Sequence, residues 1–128
     1  MDEKEHWTHE PEEHDYPAAE DYLTLLMTQA SAQDVADRLR AVAIQHRKAK
    51  DLLRASGLPL LGEDNAHVAK DLAKVRAGRR LSPVLLVGGD LARGLPLTIA
   101  DGYHRICASY HIDENADIPC RMVDWPKP

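Results

Sequence analysis

The chain of 128 residues has no phenylalanine, only two cysteines and no long apolar segment. Without phenylalanine, the core must be built from leucine, valine, isoleucine and alanine. No apolar run approaches the ~20 residues that a membrane-spanning helix needs, and the acidic N-terminus is unlike a signal peptide. Cys107 and Cys120 lack a C-x-x-C spacing and are expected to be reduced thiols. The expectation is a cytoplasmic protein that does not contact a membrane.

Basic residues are scarce at the N-terminus. Residues 1–22 carry a net charge of −8, whereas residues 23–128 carry a net charge of +3. This mildly basic body suits an anionic ligand such as a nucleotide, but its charge is too small to predict specific binding to duplex DNA. His6, His9 and His14 lie among the carboxylates of residues 1–17. A metal-binding tail is one interpretation, and a disordered or loosely docked acidic arm is the favoured one.

Helical spacing of apolar residues predicts two helices after this arm. Pro17 suits the first turn of the first helix. The second helix has a capping box formed by Ser31 and Asp34. The apolar stripe of the first helix comprises Tyr22, Leu23, Leu26 and Met27. Both helices are therefore expected to bury one face in the core.

The rest of the chain alternates strand and helix patterns. A strand near residues 43–48 is followed by a turn of helix near 50–55 that stops at Gly57. A third helix, capped by Asn65 or Asp64, ends at Gly78. Strands in "SPVLLVGGD" and "LTIA", a helix over 102–111 and a last strand in "IPCRMV" complete the pattern. The predicted fold class is α+β, one domain over residues 18–128 with a small mixed sheet and packed helices.

The segment "IADGYHR" is the strongest candidate for a site, because it joins a predicted strand to a predicted helix. Unpaired N–H groups and the helix dipole make a helix N-terminus favourable for anions. Gly102 permits a sharp turn and a close approach of a phosphate to the backbone. His104 can donate to a phosphate oxygen and Arg105 can bind one bidentately. Asp101 is the candidate catalytic carboxylate, as a ligand of Mg²⁺ that arrives with a nucleotide.

From about Lys50 to Val123 the chain resembles the ParB/sulfiredoxin-like superfamily. The resemblance rests on a helix ending at Gly78, "LSPVLLV", a hairpin, "LTIADGYHRICASY" and "IPCRMV". It implies a ParB/sulfiredoxin-like core over about residues 43–123 that follows the two N-terminal helices. Tyr103 stands where sulfiredoxins have their catalytic cysteine, so the resemblance does not imply sulfiredoxin activity. The arginine-rich loop of chromosome-partitioning ParB proteins is also absent.

The resemblance implies a set of phosphate-binding residues, with ATP, ADP or CTP as the ligand and Mg²⁺ as its accompanying ion. The strand–turn–helix motif carries this role in the superfamily, and the preceding helix adds contacts. The residues that match are Gly102, Tyr103, His104 and Arg105 in the motif, with His67 and Lys70 on the preceding helix. A nucleotide or another phosphorylated small molecule is therefore the expected partner.

Three further questions stay open at the level of sequence. Hydrolysis or phosphoryl transfer needs Mg²⁺ ligands, for which Glu63 and Asp64 are weaker candidates than Asp101. A non-enzymatic regulatory module, in which the acidic arm masks the ligand site, is the alternative function. A zinc site is one interpretation of a group of soft ligands, and packing of the cysteines as small apolar groups is the favoured one. These ligands are His104, Cys107 and His111 on one helical face, with Cys120 on the last strand.

Overall fold

The computed structural model describes residues 6–127 of the chain. No helix among these residues is both long enough and apolar enough to cross a membrane. The elements in chain order are α1 (Asp15–Leu23), α2 (Gln29–Ala41), β1 (Gln45–Lys48), α3 (Ala49–Ser56), α4 (Ala66–Arg76), β2 (Val84–Gly88), a 3-10 helix (Leu91–Arg93), β3 (Thr98–Asp101), α5 (Tyr103–Ile112) and β4 (Asp117–Asp124).

The four strands form one mixed sheet in the order β1-β4-β2-β3. β4 pairs antiparallel with β1 and parallel with β2, and β2 pairs antiparallel with β3. The parallel pair places the two apolar strands in the centre of the sheet, where both faces are covered. The predicted α+β class with a small mixed sheet is thereby confirmed.

β2 shows how the sheet divides the core into two layers. Successive side chains of a strand point to opposite faces, so the apolar run "VLLV" supplies both layers. Leu85 and Val87 pack with α1 and α2 on one face. Val84 and Leu86 pack with α3, α4 and α5 on the other. The joint between β3 and α5 therefore leads from the sheet into the layer formed by α3, α4 and α5.

Local capping signals explain where several elements begin and end. The Asn65 side chain accepts hydrogen bonds from the N–H groups of His67 and Val68, as predicted for the start of α4. Gly57 ends α3 with a φ of 70°, a conformation that glycine adopts without steric cost. The predicted turn of helix near 50–55 is the core of α3, which extends over eight residues.

Two predictions about the N-terminal helices are wrong. The capping box at Ser31 and Asp34 is replaced by Thr28, whose hydroxyl accepts the Ser31 N–H at 3.1 Å, so α2 begins earlier. The stripe predicted for α1 extends past its end at Leu23 and is wrong at Tyr22 and Leu26, which are 43% and 45% exposed, whereas Leu23 is buried and Met27 packs against the core. The buried face of α1 instead comprises Tyr16, Ala19 and Leu23, which are spaced at three and four residues.

The N-terminal arm is packed against the domain over its described part, and the prediction of a disordered or loosely docked segment is wrong there. Trp7 is 6% exposed and His6 is 1% exposed. The N–H of Leu81 donates to the His6 carbonyl at 2.8 Å, and the N–H of Thr8 donates to the Leu81 carbonyl at 2.7 Å. Residues 1–5 of the predicted arm lie outside the described residues.

His6 makes the stability of this packed arm pH-dependent. Burial lowers the pKa of His6 below its ordinary value of 6.5. The unfolded chain therefore binds a proton at a higher pH than the folded chain, and the free energy of unfolding falls as the pH drops below about 6.5. Replacement of His6 by glutamine should remove this contribution. Urea unfolding between about pH 7.5 and about pH 5.5 checks it.

The exposed His9 on the same arm supplies the control variant, His9→Gln. We expect wild type and His9→Gln to lose stability in parallel on acidification, and His6→Gln to lose less. A His6→Gln profile that runs parallel to the other two would contradict the assignment of this effect to the buried imidazole.

Candidate functional site

Gly102 forms the joint between β3 and α5, and the fold requires a glycine there. Its φ is 110°, which L side chains rarely adopt. A Cβ atom at this position would lie 2.4 Å from Cγ1 of Val84, which is fully buried. Gly102 also has no side chain to cap the first N–H groups of α5. The tight turn is thus a consequence of core packing, and it leaves the helix start open toward the adjacent cavity.

All seven residues predicted for the site line one cavity of about 270 Å³. The structure therefore brings Asp101, the motif residues 102–105, His67 and Lys70 together, although they come from three elements. Their roles in binding or catalysis stay predictions. Eight further residues, which sequence reasoning did not assign to the site, complete the lining: Glu12, His14, Asp15, Asp71, Lys74, Arg80, Leu81 and Ser82.

Arg105 is held by acidic partners inside the protein. Its Nη2 donates to Oδ2 of Asp101 at 2.9 Å and to the Pro83 carbonyl at 3.2 Å. Oδ2 of Asp15 lies 3.9 Å from the same nitrogen. The side chain is 17% exposed, and its buried Nε has no hydrogen-bond partner among the described residues. Arg105 thus contributes positive charge to the cavity wall, but its charge is already compensated.

Asp101 is the acidic partner of Arg105 and is the last residue of β3, across the Gly102 joint from the first turn of α5. Burial raises the pKa of its carboxyl group above the ordinary value of 3.8, and the nearby guanidinium of Arg105 opposes that shift. The ion pair therefore spans the joint and ties the end of β3 to the start of α5. Asp101 therefore combines a position in the cavity with a proton affinity above that of an exposed aspartate.

His104 and His67 bring two imidazole rings together at the cavity. Their ring centroids are 4.6 Å apart, with an angle of 40° between the planes. Burial lowers the pKa of His104 below 6.5; positive charge on His67 and Arg105 adds to this shift, while Asp71 opposes it. His104 is consequently neutral at pH 7, and a neutral imidazole can donate one hydrogen bond to a ligand.

Tyr103 has a structural use for its side chain. Its hydroxyl group donates a hydrogen bond to the Pro59 carbonyl in the loop between α3 and α4. Burial is the first cause of the raised pKa of this phenol. The hydroxyl therefore ties α5 to that loop, and the contribution expected of Tyr103 to an anion is its backbone N–H in the first turn of the helix.

The α4 side of the cavity carries cations that have no acidic partner within the described part of the chain. Lys70, Lys74 and Arg80 line it, and none of them forms an ion pair with any of residues 6–127. Lys70 and Lys74 follow His67 by three and seven residues, which places all three on one face of the helix. This spacing was the available signal for Lys74, whereas Arg80 reaches the cavity from the loop after α4.

The weaker Mg²⁺ candidates Glu63 and Asp64 lie outside the cavity, and the soft ligands predicted for zinc are not grouped as a metal site within residues 6–127. Glu63 pairs with Arg76 at 3.6 Å, and neither Glu63 nor Asp64 lines the cavity. His111 bonds through Nε2 to the Leu61 carbonyl at 2.7 Å. The thiol of Cys120 donates to the Gln45 carbonyl at 3.4 Å. Within residues 6–127, no three His, Cys, Asp or Glu side chains are grouped so that they could hold a metal ion.

Both cysteines are free thiols in the core. Burial raises the pKa of Cys107, and it raises the pKa of Cys120 to about 11. Neither thiol is therefore a thiolate at neutral pH, which is the form that binds metals and attacks electrophiles. The two residues act as small apolar groups that pack between the sheet and its helices.

Comparison of the chain with protein-family models, with curated proteins and with solved structures finds no match.

Proposed function

We propose that this domain binds a phosphorylated small molecule, with a nucleotide such as ATP, ADP or CTP as the main candidate. The observation that carries the proposal is the composition of one cavity. The open first turn of α5 meets Lys70, Lys74 and Arg80, which are cations without acidic partners among the described residues. Backbone N–H groups at a helix start and convergent cations are the groups that hold phosphate oxygens.

His104 and His67 add to this proposal in a second way. The rings lie beside the cations, and His104 is neutral at pH 7 because its pKa is lowered. A neutral ring donates one hydrogen bond without competing for the lysine charges, and its flat face can pack against a nucleobase or sugar. The resemblance to ParB/sulfiredoxin-like proteins remains part of the proposal, supported by the placement of the β3–Gly102–α5 joint at this cavity.

Isothermal titration calorimetry with ATP, ADP and CTP, each with Mg²⁺, tests the proposal. Inorganic pyrophosphate is titrated as well, because it carries the anionic groups without base or sugar. We expect saturable binding of at least one nucleotide that weakens as the salt concentration rises. If none of the four ligands gives a saturable heat of binding, phosphate binding is rejected.

A Mg²⁺-dependent reaction on the bound nucleotide is the second candidate function. Its supporting observation is that the carboxylates Asp101 and Asp71 line the cavity beside the proposed phosphate position. Mg²⁺ commonly binds through one or two carboxylates together with substrate phosphates, and Asp101 uses only Oδ2 for Arg105. The ion would supply charge stabilisation of the transferred phosphoryl group. Asp101 would position that ion, or accept a proton from the attacking group.

Product formation distinguishes the reaction from a binding-only module. If Asp101 is catalytic, Asp101→Asn should abolish release of phosphate from ATP, whereas Asp37→Asn on the exposed surface of α2 should leave it unchanged. Because the pKa of Asp101 is raised, turnover should also fall on acidification at a higher pH than an ordinary aspartate would impose. Nucleotide binding by wild type without any product would support the non-enzymatic module instead.

A further inference from the structure

Asp15, the first residue of α1, is a buried carboxylate at the edge of the cavity. Its side chain is 5% exposed. Oδ2 accepts hydrogen bonds from the Glu12 N–H at 3.0 Å and from the Ser82 hydroxyl at 2.9 Å. The same oxygen lies 3.9 Å from Nη2 of Arg105, and the His14 imidazole lies 3.4 Å from Oδ1. This carboxylate is thus surrounded by the donors that a bound phosphate oxygen would have.

Charge balance makes Asp15 the surplus anion at this end of the cavity. Arg105 already has a close partner in Asp101, at 2.9 Å, and one guanidinium carries one positive charge. The second carboxylate is therefore not needed to neutralise Arg105. Both Asp15 and Arg105 line the cavity, so the carboxylate adds a negative charge beside the guanidinium that repels an anionic ligand.

We propose that Asp15 is an internal competitor for the anionic group of the ligand, and that it sets the affinity of the cavity by holding Arg105. This inference rests on the proposed phosphate-binding function. A ligand that reaches Arg105 must share or displace the contact with Asp15. A strongly charged group such as a diphosphate can do so, whereas a weakly charged anion gains little. Asp15 is thus a specificity-determining residue supplied by the acidic N-terminal region.

The substitution Asp15→Asn tests this inference, since the amide oxygen keeps an acceptor for the Glu12 N–H while the charge is lost. Pyrophosphate and ADP with Mg²⁺ are titrated into wild type and the variant. We expect binding to tighten about tenfold. The matched control is Glu12→Gln, which removes an equal charge from an exposed side chain lining the same cavity. The control should tighten binding by less than about threefold, because solvent screens its charge.

A combined variant, Asp15→Asn with Arg105→Gln, shows whether the effect acts through Arg105. We expect the gain in affinity that Asp15→Asn produces to disappear when Arg105 is also replaced. If this variant does not fold, the Arg105 Nε resonance of wild type and Asp15→Asn is followed by NMR during pyrophosphate titration. It should move further in Asp15→Asn. Equal gains from Asp15→Asn and Glu12→Gln, or a gain that persists without Arg105, would overturn the inference.

The same titrations separate the two levels of the proposal. If wild type and Asp15→Asn bind pyrophosphate equally tightly, the role of Asp15 is contradicted and the proposed function stays in place. Binding by Asp15→Asn far above that of wild type supports both. If neither protein binds pyrophosphate or ADP, the proposed function is rejected, and the role of Asp15 is rejected with it.

Discussion

Replacing Gly102 with alanine is expected to lower the free energy of unfolding by about 3 kcal/mol or more. Two costs combine at this position. The φ of 110° is unfavourable for any residue with a Cβ, and that atom would lie 2.4 Å from Cγ1 of Val84. Val84 is fully buried at the start of β2 and has no room to retreat. Denaturant unfolding of wild type and variant measures the effect directly.

Gly94→Ala provides the matched comparison. Gly94 also has a positive φ, of 69°, but a Cβ there would meet nothing within 4 Å. Its substitution should cost only the backbone term, about 1 kcal/mol. Equal losses in the two variants would show that the contact with Val84 contributes nothing, and would contradict the packing argument for Gly102.

The double substitution Lys70→Gln and Lys74→Gln is expected to weaken nucleotide or pyrophosphate binding by at least about tenfold while leaving the fold intact. Lys70 is exposed and Lys74 is partly exposed, so neither supports the core. Both line the cavity, and neither is neutralised by a described acidic residue. Their replacement therefore removes positive charge that is available to an anionic ligand and is not paired within the described residues. Calorimetric titration of the variant against wild type checks the expectation.

Arg76→Gln is the control for this pair of lysines. Arg76 lies on the same helix, but it pairs with Glu63 at 3.6 Å and lies outside the cavity. It tests whether any lost charge on α4 weakens binding through the general field of the protein. Affinity in this variant should stay within about twofold of wild type. A loss equal to that of the lysine variant would show that the general field of the protein, and not contact of the ligand with Lys70 and Lys74, accounts for the effect.

The parts of the fold that could be predicted from sequence are those with local signals. The Asn65 cap, the Gly57 stop and the apolar run of β2 each depend on residues close together in the chain. The β3–α5 joint was predictable for the same reason. The ion pair between Asp101 and Arg105 was not predicted, because Asp101 ends a strand and helical spacing does not apply to it; Asp101 was interpreted as a ligand of Mg²⁺.

The parts that could not be predicted depend on contacts between distant segments. Trp7 is buried because the arm pairs with Leu81, more than seventy residues later in the chain. The contact of Asp15 with Ser82 spans a similar separation, so composition alone made the arm look loosely attached. Arg80 lines the cavity together with residues of α5 that lie more than twenty positions later in the chain. In each case the signal is tertiary, and no spacing in the sequence contains it.

Phosphate binding in this cavity is tested most directly by a ¹H–¹⁵N correlation spectrum of the intact protein, recorded while ADP or ATP with Mg²⁺ is added. We expect the largest shifts at the amides of Tyr103, His104 and Arg105, and along α4 from His67 to Lys74. Saturation of these shifts together would locate one ligand in the cavity. Shifts confined to other parts of the chain, or no shifts at millimolar nucleotide, would contradict the proposal that this cavity binds phosphate.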